Sequence, residues 1–344
     1  MKTAGVSNVG QDLQSGNNQS GLLTARGLRS IFIVDMKISF LAGIPPNWKN
    51  LNHLFIHSWS SLELAQSLLS YCCNLVACLL QIERGGFHDN TIRGASISLS
   101  SPILPLLTFL SLQGDPSACT QLFGSIEAPS LQILDFQGAF PHESEEFGLL
   151  KFLQNINSLE TLRLDHRRIT ERIALKYYPL FPSVTHLVFG RSPKRSLCNT
   201  YYRSRPSPGH ANFLATLHEI KHQYSPDSAP TVPFPSLEVF EAYDVSRVTD
   251  IMLLEFIKAR IDATKSNPGV SKLKKVLVEF SRIRQTDIVP EVKAYAQIGK
   301  RNPALDLTYY APSIKLDETS SWSPSFGLTW DDASWVYPLY DYWY

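Results

Sequence analysis

Leu159–Phe189 reads LETLRLDHRRITERIALKYYPLFPSVTHLVF, and its spacing decides the fold. Leu159, Leu162 and Leu164 follow the pattern L-x-x-L-x-L. Strand side chains alternate between faces, so Leu162 and Leu164 share one side while Arg163 and Asp165 share the other. The period then changes: Thr170 suits an N-cap, Ile173 and Tyr177 lie four apart, and Pro182 stops the helix. Val184, Leu187 and Phe189 then re-enter the spacing that Leu159 began. One strand and one helix in roughly 25 residues is the period of a leucine-rich repeat, whose units bury their apolar sides only by stacking.

The same triplet recurs along the chain. It is met at Leu28, Ile31 and Ile33, at Leu51, Leu54 and Ile56, and at Leu75, Cys78 and Leu80. It continues at Leu107, Leu110 and Leu112, and at Leu131, Leu134 and Phe136. Beyond Phe189 it resumes at Leu237, Phe240 and Ala242, then at Leu273, Val276 and Val278, and closes at Leu305, Leu307 and Tyr309. Prolines ahead of several triplets end the preceding helix without removing a ladder hydrogen bond. The expected fold is an α/β leucine-rich-repeat solenoid: a curved horseshoe with parallel strands on the concave face and helices and loops on the convex face.

Helices are expected between strands. Ser60 and Glu63 have capping-box spacing ahead of Leu62 and Leu69, Glu143–Asn155 repeats the helical period, and another helix runs from about Asp287 to Gly299. Val248–Ile261 is the clearest amphipathic stretch, with Leu253, Leu254, Phe256 and Ile257 on one side and Lys258 and Arg260 on the other. Longer intervals imply a loop insertion around Gly85–Ser101, and a lapse after Phe189 in which one repeat is missing or heavily inserted.

The chain has 344 residues, 44% hydrophobic, with a formal charge of +1. That length suits units added along one axis better than one compact core. The charge balance gives no bias toward nucleic acid or anionic lipid, and no apolar run reaches the roughly 18 to 20 residues of a membrane helix. Five cysteines without metal-type C-x-x-C pairs fit reduced thiols packed as small hydrophobes, with Cys78 in a core position. The N-terminus lacks the apolar region of a secretory signal, so the expected location is cytoplasmic or nuclear. Residues 1–26 are expected to be disordered, 27–312 to form the solenoid with a basic, proline-rich insertion at about 190–235, and 313–344 to be an aromatic-rich tail.

Two regions carry a closer likeness. WKNLNHLFIHSWSSLELAQSLLSYCCNLVACLLQI (Trp48–Ile82) and, late in the chain, FPSLEVFEAYDVSRVTDIMLLEFIKAR (Phe234–Arg260) with VSKLKKVLVEFSR (Val270–Arg282) resemble the leucine-rich-repeat region of fungal F-box proteins of the mushroom type. The resemblance spans about Leu28 to Tyr309. It implies a substrate-recruiting role in an SCF-type ubiquitin ligase. In that family a helical module, the F-box, docks the ligase adaptor ahead of the repeats. The residues before Leu28 are too few and too polar to form one, so adaptor binding is expected only if an F-box lies upstream.

Two features of the insertion invite other readings. RSPKRSLCNTYYRSRPSPGH, residues 191–210, is basic and carries Ser-Pro steps, but without a folded stripe of charge it makes a poor nucleic-acid footprint. His218-Glu219-Ile220-Lys221-His222 satisfies H-E-x-x-H, which on a helix places two imidazoles on one face for zinc, with Glu219 to polarise water. Glu241 follows His222 at the interval of a third ligand in one aminopeptidase class. SPDSAPTVPFP, however, is extended, proline-rich chain and not the helical scaffold of such sites, and Glu241 is already explained as a strand residue. The expectation is no catalytic, cofactor or metal site and no enzyme; a zinc peptidase is the remote alternative.

A recognition surface is expected instead, on the residues that face away from the core: Phe55, His57, Gln113, Asp135, Arg163, Asp165, Glu241, Tyr243 and Glu279, with Ser111 and Gln137 beside them. Carboxylates, amides, one Arg and one Tyr suit a protein or peptide partner, and neither a phosphate groove nor a dry pocket. A leucine-rich-repeat scaffold unrelated to ubiquitin explains the same pattern. The aromatic tail is dense enough to dock into a groove.

Overall fold

The computed structural model describes residues 2–7, 27–34, 46–83, 101–138, 147–165, 176–190, 232–297 and 303–309. These form a mixed α/β architecture dominated by one parallel sheet of 11 strands, paired in chain order. The strands are β1 Lys2–Ser7, β2 Leu28–Val34, β3 His53–Ser60, β4 Ala77–Ile82, β5 Phe109–Gly114 and β6 Ile133–Phe136. They continue as β7 Thr161–Leu164, β8 His186–Phe189, β9 Val239–Val245, β10 Lys275–Phe280 and β11 Ala304–Tyr309. Five α-helices are described between them: α1 Leu62–Tyr71, α2 Pro116–Ser125, α3 Phe147–Gln154, α4 Asp250–Ser266 and α5 Val289–Gln297.

Every triplet falls into register. Ile31, Leu54, Cys78, Leu110, Leu134, Leu162, Leu187, Phe240, Val276 and Leu305 are successive partners across the sheet. From Ile31 to Val276 each is at most 2% exposed, and they belong to one continuous core with the buried faces of the helices. Parallel pairing of such rows demands that each unit return to the same starting line, and polar side chains ahead of the triplets fix that return. Asn74 Nδ2 donates to Lys49 O (2.8 Å), Ser158 Oγ donates to Leu131 O (2.9 Å), and Ser183 Oγ donates to Leu159 O (2.7 Å). Each bond ties the entry of one strand to the backbone of the unit before it.

Several expectations need correction. Within the N-terminal segment read as disordered, Lys2–Ser7 form β1, parallel to β2; Gly-, Ser- and Asn-rich flanks conceal a strand without the triplet. Across the lapse after Phe189, β8 pairs directly with β9 through His186↔Val239, as either a missing or an inserted unit allows. The helix after β3 is capped by Ser61, whose Oγ accepts from Leu64 N (3.3 Å). Ser60 is buried and donates to Gln81 O (2.7 Å), so the cap sits one residue later than the capping-box spacing suggests. Helix α2, absent from the expectations, starts with Asp115 as N-cap and Pro116 in its first turn. Thr249 caps α4 through Met252 N.

The amphipathic pattern places Arg260 on the solvent side of α4, and the structure places it inside. It is 2% exposed and donates to Pro233 O (3.0 Å), Leu237 O (3.3 Å) and Ser271 O (3.4 Å). The turns that precede β9 and β10 present carbonyls inward, and a guanidinium on a long apolar stem satisfies them where a hydrophobe could not. Burial lowers its pKa to about 10.

Cys72, Cys78 and Cys119 are buried free thiols, and Cys73 is exposed. Burial raises Cys72 and Cys119 to about 12, so they stay protonated and act as small hydrophobes. No described helix is long and apolar enough to cross a membrane. The expected helix after Thr170 is described only from residue 176, where its last residues pass into a 3-10 turn, Tyr178–Leu180, just ahead of Pro182. The segments 84–100 and 191–231, with His218, Glu219 and His222, and the aromatic tail from 313 lie outside the described residues.

Candidate recognition face of the sheet

Since the triplet residues fill the core, the residue between the second and third apolar positions of each unit points to the opposite face. Across the sheet this central row reads Phe32, Phe55, Leu79, Ser111, Asp135, Arg163, Val188, Glu241, Leu277 and Asp306. The row is sorted by chemistry. Its first three members are apolar, its middle is polar, and its end mixes carboxylates with aliphatics.

The apolar end lies on β2–β4. Phe32 and Phe55 stack with ring centroids 4.8 Å apart, and His53 stacks on Phe55 from the row beside it (6.4 Å). Ser30 Oγ lies 2.8 Å from His53 Nδ1, and burial lowers the pKa of that imidazole, which favours its neutral form. A register shift between Ile56 and Trp59 brings Trp59 opposite Gln81 on the same side, where it is 38% exposed.

A band of amides follows. Gln81 Nε2 lies 3.1 Å from His57 Nε2 and donates to Gln113 Oε1 (3.3 Å). Asp135 accepts from Ser111 Oγ (3.2 Å) and Gln137 Nε2 (2.5 Å). Arg163 stands in register with Asp135 and is partly exposed, whereas Asp165, just past β7, is buried.

Glu241 organises the far side. Tyr243 Oη donates to its Oε2 (2.8 Å), and Lys275 Nζ donates to its Oε1 (3.2 Å). His186 Nε2 lies 3.5 Å from Oε1, within ion-pair reach but outside hydrogen-bond geometry. Burial pushes this carboxyl up; His186, Tyr243 and Lys275 together outweigh it and hold the pKa at about 2. Glu241 is therefore an anion fixed in place, 7% exposed. Glu279 and Asp306 on β10 and β11 are more open.

Of the nine residues singled out from the sequence, His57, Gln113, Asp135, Arg163 and Glu279 are partly exposed, whereas Phe55, Asp165, Glu241 and Tyr243 are buried. They do not form one cluster but a strip. Sequence reasoning misses Phe32, Leu79, Val188 and Leu277, which make the face less polar than expected, and His186 and Lys275, which stand against Glu241. The signal is present: the four apolar residues each lie between the second and third members of their own triplet, where such residues are easily assigned to the core.

Ser30 and His53 bring a hydroxyl to an imidazole, with Ser30 3% exposed and the ring stacked on Phe55. Among the described residues no group of three His, Cys, Asp or Glu side chains is arranged to hold a metal. No family model, curated protein or solved structure matches this chain.

Proposed function

We propose that the chain is a protein-recognition module of the leucine-rich-repeat type, binding a protein or peptide on the strand face opposite the core. In this reading the sheet is the concave wall of a solenoid, the helices form its convex side, and the role resembles that of the substrate-binding repeats of an F-box subunit in an SCF-type ubiquitin ligase. The observation that carries it is the sorted row from Phe32 to Asp306, ten side chains in register along one surface. Side chains fixed by a parallel ladder are pre-organised, and pre-organisation lowers the entropic cost of association. Aromatic groups beside a polar, hydrogen-bonded band match the anatomy of protein interfaces.

Photo-crosslinking in cells tests it. A photoreactive residue replaces Leu79 or Leu277 on the strand face, and Gln121 on α2 or Glu255 on α4 on the helical side. Adducts to a common partner from the strand positions alone are expected. Adducts from the helical positions alone would overturn the reading. If the module recruits substrates, blocking the ubiquitin ligase raises the abundance of the crosslinked partner. An unchanged level would confine the role to scaffolding.

A further inference from the structure

The recognition face is polarised along its length, and this polarity specifies a partner. We propose that it takes an extended basic protein segment bearing one aromatic or aliphatic anchor, the anchor seated over β2–β4 and the cations lying along β6–β11. The proposal rests on the recognition reading and names the partner class of the same site.

The apolar end supplies the anchor site. Phe32 and Leu79, both half-buried, flank Phe55 on the neighbouring strands; Phe55 itself is 8% exposed, so the accessible apolar surface here is that of Phe32, Leu79 and Trp59, the last 38% exposed. Contiguous apolar side chains on a strand face are uncommon unless something covers them, and tryptophan is among the residues most enriched where binding energy concentrates. None of the four carries a charge, so a charged group seated there would lose hydration without gaining a partner.

The remaining strands carry the opposite chemistry. Among the described residues Asp135, Glu279 and Asp306 on this side are at least partly exposed, with Asp165 and Glu241 buried beside them, against the cations Arg163 and Lys275. Lys275 is already engaged by Glu241 at 3.2 Å. Among the described residues of this face the excess is negative, although the whole chain is +1. Glu241 stays ionised at any physiological pH, with its pKa at about 2. Such a field favours Lys and Arg and repels acidic segments.

Geometry turns the polarity into a spacing. Parallel strands lie about 4.8 Å apart and extended chain advances about 3.3 Å per residue. Three strand steps separate Phe55 on β3 from Asp135 on β6, a span of about 14 Å that about four extended residues cover. Seven steps separate β3 from Glu279 on β10, a span of about 34 Å that about ten extended residues cover.

A display library of random 15-residue peptides selected against the full chain tests this. Enriched sequences should hold a Leu, Phe or Trp with Lys or Arg about four and about ten residues away, in one chain direction. Fluorescence anisotropy of the strongest binder should show at least a tenfold loss when its bases become Glu, and a similar loss when its anchor becomes Ser. Affinity should fall as salt rises from about 50 to 300 mM. Leu79→Asp, Trp59→Ser, and the combined Asp135→Asn, Glu279→Gln, Asp306→Asn variant should each weaken binding about tenfold with unchanged thermal unfolding. Enrichment of acidic or neutral peptides that still compete at this face and are lost with Leu79→Asp would overturn the polarity yet leave recognition standing. Basic peptides insensitive to all three variants, or no enrichment, would overturn the proposal; photo-crosslinking then judges the recognition reading separately.

Discussion

Asp250 has no exposed surface and is among the most heavily bonded side chains described, so it shows how single residues hold this chain together. It accepts from Arg282 Nη2 (2.9 Å), Gln285 N (2.9 Å), Thr286 N (2.8 Å) and Tyr309 Oη (3.0 Å), joining α4 to the residues after β10 and to β11. Burial pushes its pKa up, but these donors outweigh burial and lower it. Removing one partner of a buried pair leaves the other uncompensated, so Asp250→Asn should cost about 3–5 kcal/mol in urea unfolding. Tyr309→Phe should cost only about 1–2 kcal/mol. Glu241 behaves differently with pH. Its folded pKa of about 2 lies below the ordinary 4.5, so its stabilisation is complete above about 4.5 and is lost as pH falls toward 2. Glu241→Gln should destabilise by about 1–3 kcal/mol at pH 7, and the difference from wild type should shrink steadily between pH 4.5 and 2. Neither cluster is legible in the sequence, because Lys275 and Arg282 come from strands and turns remote from Glu241 and Asp250, and spacing within one element says nothing about such partners. Arg260 misleads for a related reason: the carbonyls it satisfies belong to turns, not to its own helix.

At the scale of elements, strands are more legible than helices. A strand in this chain has to bury one face against its own unit, and the triplet states which face. Helices carry looser patterns, so α2 goes unread although Asp115-Pro116 marks its start. Loss of that cap in Asp115→Ala should cost about 1 kcal/mol, read as a shift in the urea midpoint without a change in slope. The α2–α3 contact is closer than pattern alone implies. A Cβ on Gly148 would meet Thr120 O at 2.5 Å and Gly124 Cα at 3.0 Å. Gly148→Ala should therefore push the helices apart and cost about 1–3 kcal/mol, beyond any gain in helix propensity. Leu162→Ala, in the central strand row, should cost about 2–5 kcal/mol by leaving a cavity.

For the whole molecule, the order of the sheet is legible because the triplet recurs throughout one chain, and a ladder that pairs any two of them consistently pairs them all. Less legible is where the ladder starts and what long intervals contain. β1 lacks the triplet, and the long interval between Phe189 and Leu237 gives equal warrant to a missing rung and to an insertion. The last strand is another such boundary: Leu305, Leu307 and Tyr309 are half-buried where their partners on β10, Val276, Val278 and Phe280, are at most 2% exposed. Strands inside the sheet are held by a neighbour on each side and β11 by one alone among the described residues, so amide exchange should be slowest in β5–β8 and fastest in β11.

The most direct measurement is disulfide trapping across the longest interval, with His186→Cys and Val239→Cys in a background lacking Cys73 and Cys198. These residues are Cα partners on β8 and β9, at a separation a disulfide spans. A bridge forming as readily as one between Ile133→Cys and Thr161→Cys, partners on β6 and β7, is the expected result. A bridge in the second pair with none in the first would contradict a single continuous sheet, and with it the recognition face built on that sheet.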